Sequence, residues 1–141
     1  MARRDASELH GAEHVRAYRE SDGDYGHDWR GGSQTLLLTT TGRRSGEPRT
    51  NALIYGRSGD AYVVVASDGG ADEPPGWYKN LKANPEVELQ VLADRFRARA
   101  RDADPEERPE LWREMISHWP PYDDYQRRTD RQIQVVVLER V

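Results

Sequence analysis

Residues 36–51 constrain the fold more than any other stretch. An apolar run, Leu36-Leu37-Leu38, passes into the β-branched Thr39-Thr40-Thr41 and stops at Gly42. Eight residues, 42–49, then carry two glycines, a proline and three arginines before an extended pattern resumes at about Thr50. Apolar and β-branched residues suit a pleated strand, and Gly with Pro at the break suits a turn, so the segment reads as strand, turn, strand. Arg43, Arg44 and Arg49 share that turn, where solvent or a bound anion must screen their repulsion. The guanidinium fork fits phosphate and carboxylate oxygens, and the exposed amides of a glycine-bearing turn add donors. A solvated hairpin tip has the same composition, so this stretch alone leaves both readings standing.

The rest of the chain alternates short extended runs with turn signals. Besides 34–40 and 50–56, strands are expected over 61–66, 86–92, 95–101 and 133–138. Gly56-Arg57-Ser58-Gly59-Asp60 is a short glycine-bearing connection, the mark of a hairpin between the second and third strands. Tyr62-Val63-Val64-Val65-Ala66 is almost wholly apolar, which predicts burial on both faces. Val87, Leu89 and Val91 alternate with Glu86, Glu88 and Gln90, while Phe96, Ala98 and Ala100 alternate with Arg95, Arg97, Arg99 and Arg101. One face of this hairpin should join the core, and the other should pair acid with base across the strands.

Four helices are expected. Ser7 caps the first, which runs to about Glu20 with Leu9, Ala12, Val15 and Tyr18 as a thin apolar stripe, and 21–33 follows as a loop. The second, 77–84, places Trp77 and Leu81 on one face and is closed by Asn84-Pro85. Asp104-Pro105-Glu106-Glu107 starts the third with a capping Asp, and Pro109 predicts a kink in its first turn. Leu111, Trp112, Met115, Ile116 and Trp119 form its core face, Pro120-Pro121 ends it, and a short helix follows over 122–128. No βαβ repeat appears. The hairpin signals predict a mainly β, α+β domain over 34–141, an antiparallel sheet of about six strands closed into a small barrel with flanking helices, preceded by a polar segment, 1–33.

Composition excludes several functions. With 21 basic and 25 acidic residues the net charge is −4, so no global field draws the chain to nucleic acid. No cysteine is present, which removes disulfides, thiolate chemistry and Cys-ligated metal and fits a reducing cytoplasm. No apolar run approaches the roughly 20 residues of a membrane span, and the first helix is too weakly amphipathic for more than peripheral contact. The N-terminus lacks an apolar secretory segment, so the cytoplasm is the expected compartment. His10 and His14 lie at i and i+4 and His27 follows, but no carboxylate is fixed beside them and no metal site is expected. A small barrel leaves sheet edges to cover, which is compatible with an edge-strand homodimer.

Residues 36–49, Val65-Ala66-Ser67-Asp68-Gly69-Gly70, Trp77-Tyr78-Lys79-Asn80-Leu81-Lys82-Ala83-Asn84-Pro85 and Tyr122-Asp123-Asp124-Tyr125 occur in that order. Together they resemble the signature segments of the deazaflavin-dependent nitroreductase family, related to split-barrel flavin-binding proteins, over about residue 36 to the C-terminus. The resemblance implies a split β-barrel that binds coenzyme F420, a deazaflavin with a ribityl chain, a phosphate and an oligoglutamate tail. It implies phosphate and tail contacts for Arg43, Arg44, Ser45 and Arg49, with Thr41 and Asn51 in the same site. Ala66, Ser67, Gly69, Gly70, Trp77, Tyr78, Asn80 and Leu81 would lie along the ring and ribityl chain. The implied activity is hydride transfer from reduced F420 to a small-molecule acceptor, a quinone, nitro compound or activated alkene. Tyr122 and Tyr125 would line the acceptor side as proton donors, and Ser67 would bond the acceptor or relay a proton. Trp119 and Ile54 stand where relatives can carry tyrosine, and Asp68 stands where they often carry a basic residue. A non-catalytic F420-binding or storage protein and an FMN-binding split barrel are the alternatives.

Overall fold

In the computed structural model, which describes residues 2–141, nine strands and four helices follow one another. They are β1 (Arg4–Asp5), α1 (Gly11–Ser21), β2 (Tyr25–Asp28), β3 (Thr35–Thr41), β4 (Pro48–Ile54), β5 (Gly56–Ser58) and β6 (Ala61–Val65). Then come α2 (Gly76–Ala83), β7 (Glu86–Val91), β8 (Asp94–Asp102), α3 (Arg108–His118), α4 (Pro121–Arg127) and β9 (Val135–Arg140). Seven strands form one antiparallel sheet in the order β4-β3-β7-β8-β9-β6-β5. Its two outermost strands, β4 and β5, are consecutive in sequence, with Tyr55 alone between them. A residue spans at most ~3.6 Å, so the sheet must curl until its edges nearly meet. The result is the expected barrel, left as a half-barrel because β4 and β5 do not pair with each other.

The expected strand over 50–56 is therefore two strands. The chain leaves one sheet edge at Ile54 and joins the other at Gly56, and the hairpin forms between β5 and β6 with Gly59 at φ +58°. Tyr55 secures the crossing. Its N–H donates to the Gln34 carbonyl at 3.0 Å, and its ring packs edge-on against Tyr62.

Alternation divides the apolar residues between two cores. Leu36, Leu38, Val64, Val87, Leu89, Ala98, Val136 and Leu138 face the interior, where Trp77 and Leu81 of α2 close one end as expected. Val63, Val65, Val135 and Val137 face outward beneath Leu111 and Met115 of α3 and Tyr122 of α4. β6 is thus buried on both faces, as its composition predicts.

Residues before Thr35 are packed by their polar side chains as much as by apolar ones. Tyr18 is wholly buried; its hydroxyl donates to the Thr35 carbonyl at 3.0 Å and accepts the Leu92 N–H at 2.9 Å, tying α1 to β3 and the β7–β8 turn. His14 Nε2 lies 2.7 Å from the Gly26 carbonyl. His27 is held between the Asp28 carboxylate and the Tyr55 hydroxyl, each at 2.8 Å.

Several local expectations are corrected. α1 begins at Gly11 behind His10 with no side-chain cap, because the Ser7 hydroxyl and N–H are both turned onto Asp5. The expected loop over 21–33 contains β2, which pairs in parallel with β1. α3 starts at Arg108 rather than after Asp104, because Glu107 is drawn to Arg101 and to the Asp104 N–H. Pro109 then falls in the first turn, where its missing N–H costs nothing. Glu86 lies opposite Arg99 and Glu88 opposite Arg97, yet neither pair closes into an ion pair among the described residues. Arg101 instead reaches Glu139 at 3.1 Å and Glu107 at 3.0 Å. Ordering two exposed chains for one screened contact gains little. No helix among the described residues is long and apolar enough to cross a membrane.

Burial holds the pKa values of both His14 and His27 below the usual histidine range, against the opposing pull of Gly26 on one and Asp28 on the other. The unfolded chain therefore binds protons first as pH falls. Stability should be complete above about pH 6.5 and decline as pH drops through the lowered native values. Urea midpoints at pH 7.5 and 5.5 should differ, and the His14→Gln/His27→Gln double variant should flatten that difference; equal midpoints in the parent protein would refute the assignment.

Candidate active site

The β3–β4 hairpin closes on itself beyond the last paired residues, Thr41 and Pro48. Gly42 N–H donates to the Glu47 carbonyl and Gly46 N–H to the Gly42 carbonyl, both at 2.8 Å, and the Ser45 hydroxyl accepts the Glu47 N–H at 3.1 Å. A β-carbon at Gly42 would come within 2.6 Å of that hydroxyl and 3.1 Å of the Glu47 carbonyl, so a side chain there would displace Ser45 from the turn. The hairpin is then hooked to α2. Arg43 donates from its backbone N–H and from Nη1 to Asn80 Oδ1, at 3.2 and 2.9 Å, and Asn80 Nδ2 donates to the Thr40 hydroxyl at 3.2 Å. Asn80 is 5% exposed, so this amide is a satisfied buried joint rather than a free ligand.

Arg43, Arg44, Ser45, Arg49 and Asn51 line one side of an open cleft of about 490 Å³, and Asp68, Gly76, Trp77 and Asn80 line the other. None of the three arginines takes part in an ion pair among the described residues. α2 begins at the cleft, and Pro75 supplies no side-chain cap, so its first amides add partial positive charge to the arginines. Positive charge therefore predominates in the cleft, with Asp68 as the acidic side chain in its lining.

Next to the cleft, Ser67 leads into a short 3-10 turn, Asp68–Gly70. Asp68 sits at φ +44° and Gly70 at φ +87°. Arg131 holds the turn from behind. Its Nη2 donates to the Ala66 and Ser67 carbonyls at 3.1 and 3.0 Å, and its Nε to the Ala71 carbonyl at 2.8 Å. The Ser67 hydroxyl makes no hydrogen bond among the described residues. α4 rests on the same turn, so close that a β-carbon at Gly70 would meet the Tyr125 carbonyl at 2.6 Å, and Arg128 donates to the Gly69 carbonyl at 3.3 Å. Tyr125 therefore abuts the turn whose Asp68 lines the cleft, with Tyr122 three residues earlier on the same helix.

Of the residues expected at the cofactor, the cleft brings together Arg43, Arg44, Ser45, Arg49, Asn51, Trp77 and Asn80. Ser67, Gly69 and Gly70 adjoin it through Asp68. Ala66 lies buried behind the turn with its carbonyl taken by Arg131. Thr41, Tyr78 and Leu81 do not line the cleft. Leu81 is inside the barrel, and the Tyr78 hydroxyl donates to the Asp102 carboxylate at 2.9 Å. Burial first, and Asp102 second, push the Tyr78 pKa up. On the acceptor side, Tyr122 is buried among Trp112, Ile133 and the valines of β6 and β9, and burial drives its pKa upward. Tyr125 is half-buried.

Sequence reasoning missed Gly76 and Arg131. The Pro74-Pro75 pair was a signal that a helix starts there and points its N-terminus outward. Nothing local marked Arg131, whose backbone carbonyl partners lie 60 to 65 residues away. Among the described residues no set of three His, Asp or Glu side chains is arranged to hold a metal.

A curled antiparallel half-barrel with an arginine hairpin and a helix N-terminus around one open cleft has the architecture of a split-barrel protein. The F420H(2)-dependent quinone reductase family matches residues 11–140, and the chain belongs to that family. The match begins well ahead of the segments that first suggested it. The F420H(2)-dependent quinone reductase of Mycobacterium tuberculosis is 46% identical over 131 residues, covering 90% of this chain and 87% of the relative. A solved F420-H2 dependent reductase, FDR-A, is 40% identical with a TM-score of 0.69, over 74% of this chain and 93% of that one. A structure described as a domain-swapped dimer is 37% identical with a TM-score of 0.72, over 89% and 96%. The protein is an F420H2-dependent reductase, and coenzyme F420 is its hydride donor.

Gly70→Ala tests the seating of α4 on the turn. The unfavourable φ and the contact with the Tyr125 carbonyl should cost about 1–3 kcal/mol, read as a lower urea midpoint; an unchanged midpoint would show that the turn yields freely.

Proposed function

We propose that the arginine cleft grips the phosphate and oligoglutamate end of F420, and that the enzyme reduces a quinone or related acceptor on the side of α4. The observation that carries this reading is the convergence of Arg43, Arg44 and Arg49, without acidic partners, on the uncapped start of α2. When bound, the reduced cofactor supplies hydride from its ring carbon. The chain's own residues have four tasks. The arginines bind through charge-assisted hydrogen bonds. Asn80 fixes the hairpin that carries Arg43. The Ser67 hydroxyl, without a hydrogen-bond partner among the described residues, holds the acceptor. Tyr125 donates the proton that completes reduction, while Tyr122, kept neutral by burial, serves as the wall behind it. We assign the work to the cytoplasm, in keeping with a chain that has no cysteine. We also propose a homodimer, since β4 leaves one edge unpaired and a 37% identical relative is described as a domain-swapped dimer.

Fluorescence titration with oxidised F420 tests the cleft. The Arg43→Ala/Arg44→Ala double variant should bind about 100-fold more weakly, with its thermal midpoint lowered only slightly, because the backbone N–H at position 43 still serves Asn80 Oδ1 when the Nη1 bond is lost. Equal affinity in parent and variant would reject the arginine assignment. Tyr125→Phe should lower turnover with menadione while leaving F420 affinity intact, and full turnover would remove Tyr125 as donor.

A further inference from the structure

The connection between α3 and α4 contains a contact that the proposed function does not use. Pro120 follows Trp119, and the proline ring bars the preceding residue from helical conformation. Trp119 accordingly ends α3 at φ −145°, ψ 85°, and the Tyr122 N–H donates back to its carbonyl at 3.1 Å. Its indole Nε1 lies 3.3 Å from the Tyr125 hydroxyl. An indole nitrogen only donates, so the tyrosine oxygen must accept, and the phenol's own hydrogen has no partner among the described residues.

Residues from the start of the chain hold the tryptophan in place. The Trp29 ring stacks on Trp119 with centroids 5.7 Å apart and planes at 29°. Trp29 is itself fixed by donation from Nε1 to the Leu9 carbonyl at 2.9 Å, and is flanked by the His14 ring at 5.8 Å. The polar first segment thus reaches the acceptor side of the site through two indoles.

We propose that Trp119 is a positioning residue for the protonation step, using its indole N–H to aim the Tyr125 hydroxyl and to hold the oxyanion that Tyr125 becomes. The inference rests on Tyr125 as the proton donor. In the step, the acceptor has gained a hydrogen and two electrons as hydride from the reduced cofactor. The Tyr125 O–H bond breaks, a new O–H bond forms on the acceptor, and the Tyr125 oxygen keeps the electron pair. Trp119 stabilises that negative charge until solvent returns a proton.

Trp119→Phe keeps a ring for Trp29 to stack on and deletes the N–H. Its kcat should fall about tenfold while acceptor KM and F420 affinity change by less than about twofold. The solvent deuterium isotope effect on kcat should rise, a change that lost packing alone would not produce. A second readout needs no cofactor. In protein labelled with 15N at its indoles, Tyr125→Phe should shift the Trp119 Nε1–H resonance upfield more than any other indole signal. An unmoved resonance would overturn the contact. Unchanged kcat in Trp119→Phe alongside an impaired Tyr125→Phe would overturn the positioning role alone, and full turnover in Tyr125→Phe would overturn the donor reading on which it rests.

Discussion

A single residue decides the shape of this protein. With only Tyr55 between β4 and β5, the two edges of a seven-stranded sheet are held within one residue's reach. Everything else accommodates that closure. The inner faces of β3, β6, β7, β8 and β9 surround one core, and α2 fills the end left open. The outer faces of β6 and β9 need a second cover, which α3 and α4 provide. Closure also brings the β3–β4 hairpin over the start of α2, where the arginines face one cleft. The Tyr55 hydroxyl, held by His27, lets the polar N-terminal segment latch the seam from outside.

The site is assembled from fixed backbone and a few satisfied polar joints. Asn80 links β3, the arginine hairpin and α2 through one buried amide. Arg131 does the same for the Ser67–Gly70 turn, spending its donors on carbonyls. Among the described residues Arg43, Arg44 and Arg49 form no ion pair, while other acids are engaged elsewhere: Asp102 serves Tyr78 and Lys82, Glu107 serves Arg101, and Asp94 serves Arg140. Asp68 is the exception, an acidic side chain on the wall opposite three arginines. Charge within the cleft is therefore balanced by the chain only in part, which leaves room for the anionic end of the cofactor in the proposed binding mode.

Most strands were legible because alternation and turn residues are local properties. The arginine turn, the doubly buried β6 and the Trp77/Leu81 face of α2 followed directly from spacing. Tyr25-Gly26-His27-Asp28 did not read as a strand, since it has no apolar alternation and is ordered by β1 and by the phenol of Tyr55. The break at Tyr55 was equally silent: 50–56 has continuous strand character, and only the topology divides it. For the site, sequence identified the groups that gather in the cleft but assigned too much to α2. A helix can turn only part of its surface to a ligand, so Trp77 and Asn80 reach the cleft while Tyr78 and Leu81 face Asp102 and the core. The buttress of Trp29 on Trp119 spans 90 residues of sequence and has no local signature.

The position of β9 has a consequence for how the chain acquires its structure. It follows every other strand in sequence yet lies between β8 and β6, near the middle of the sheet. Until it is available, β8 and β6 present unpaired inner edges, and the two halves of the sheet are linked by the chain through Tyr55 but by no strand pairing. Sheet pairing of this kind is non-local, and loop closure must precede its reward. The barrel therefore cannot close until β9 has been made, and up to that point β6 and β8 are exposed to the aggregation that unpaired strands invite.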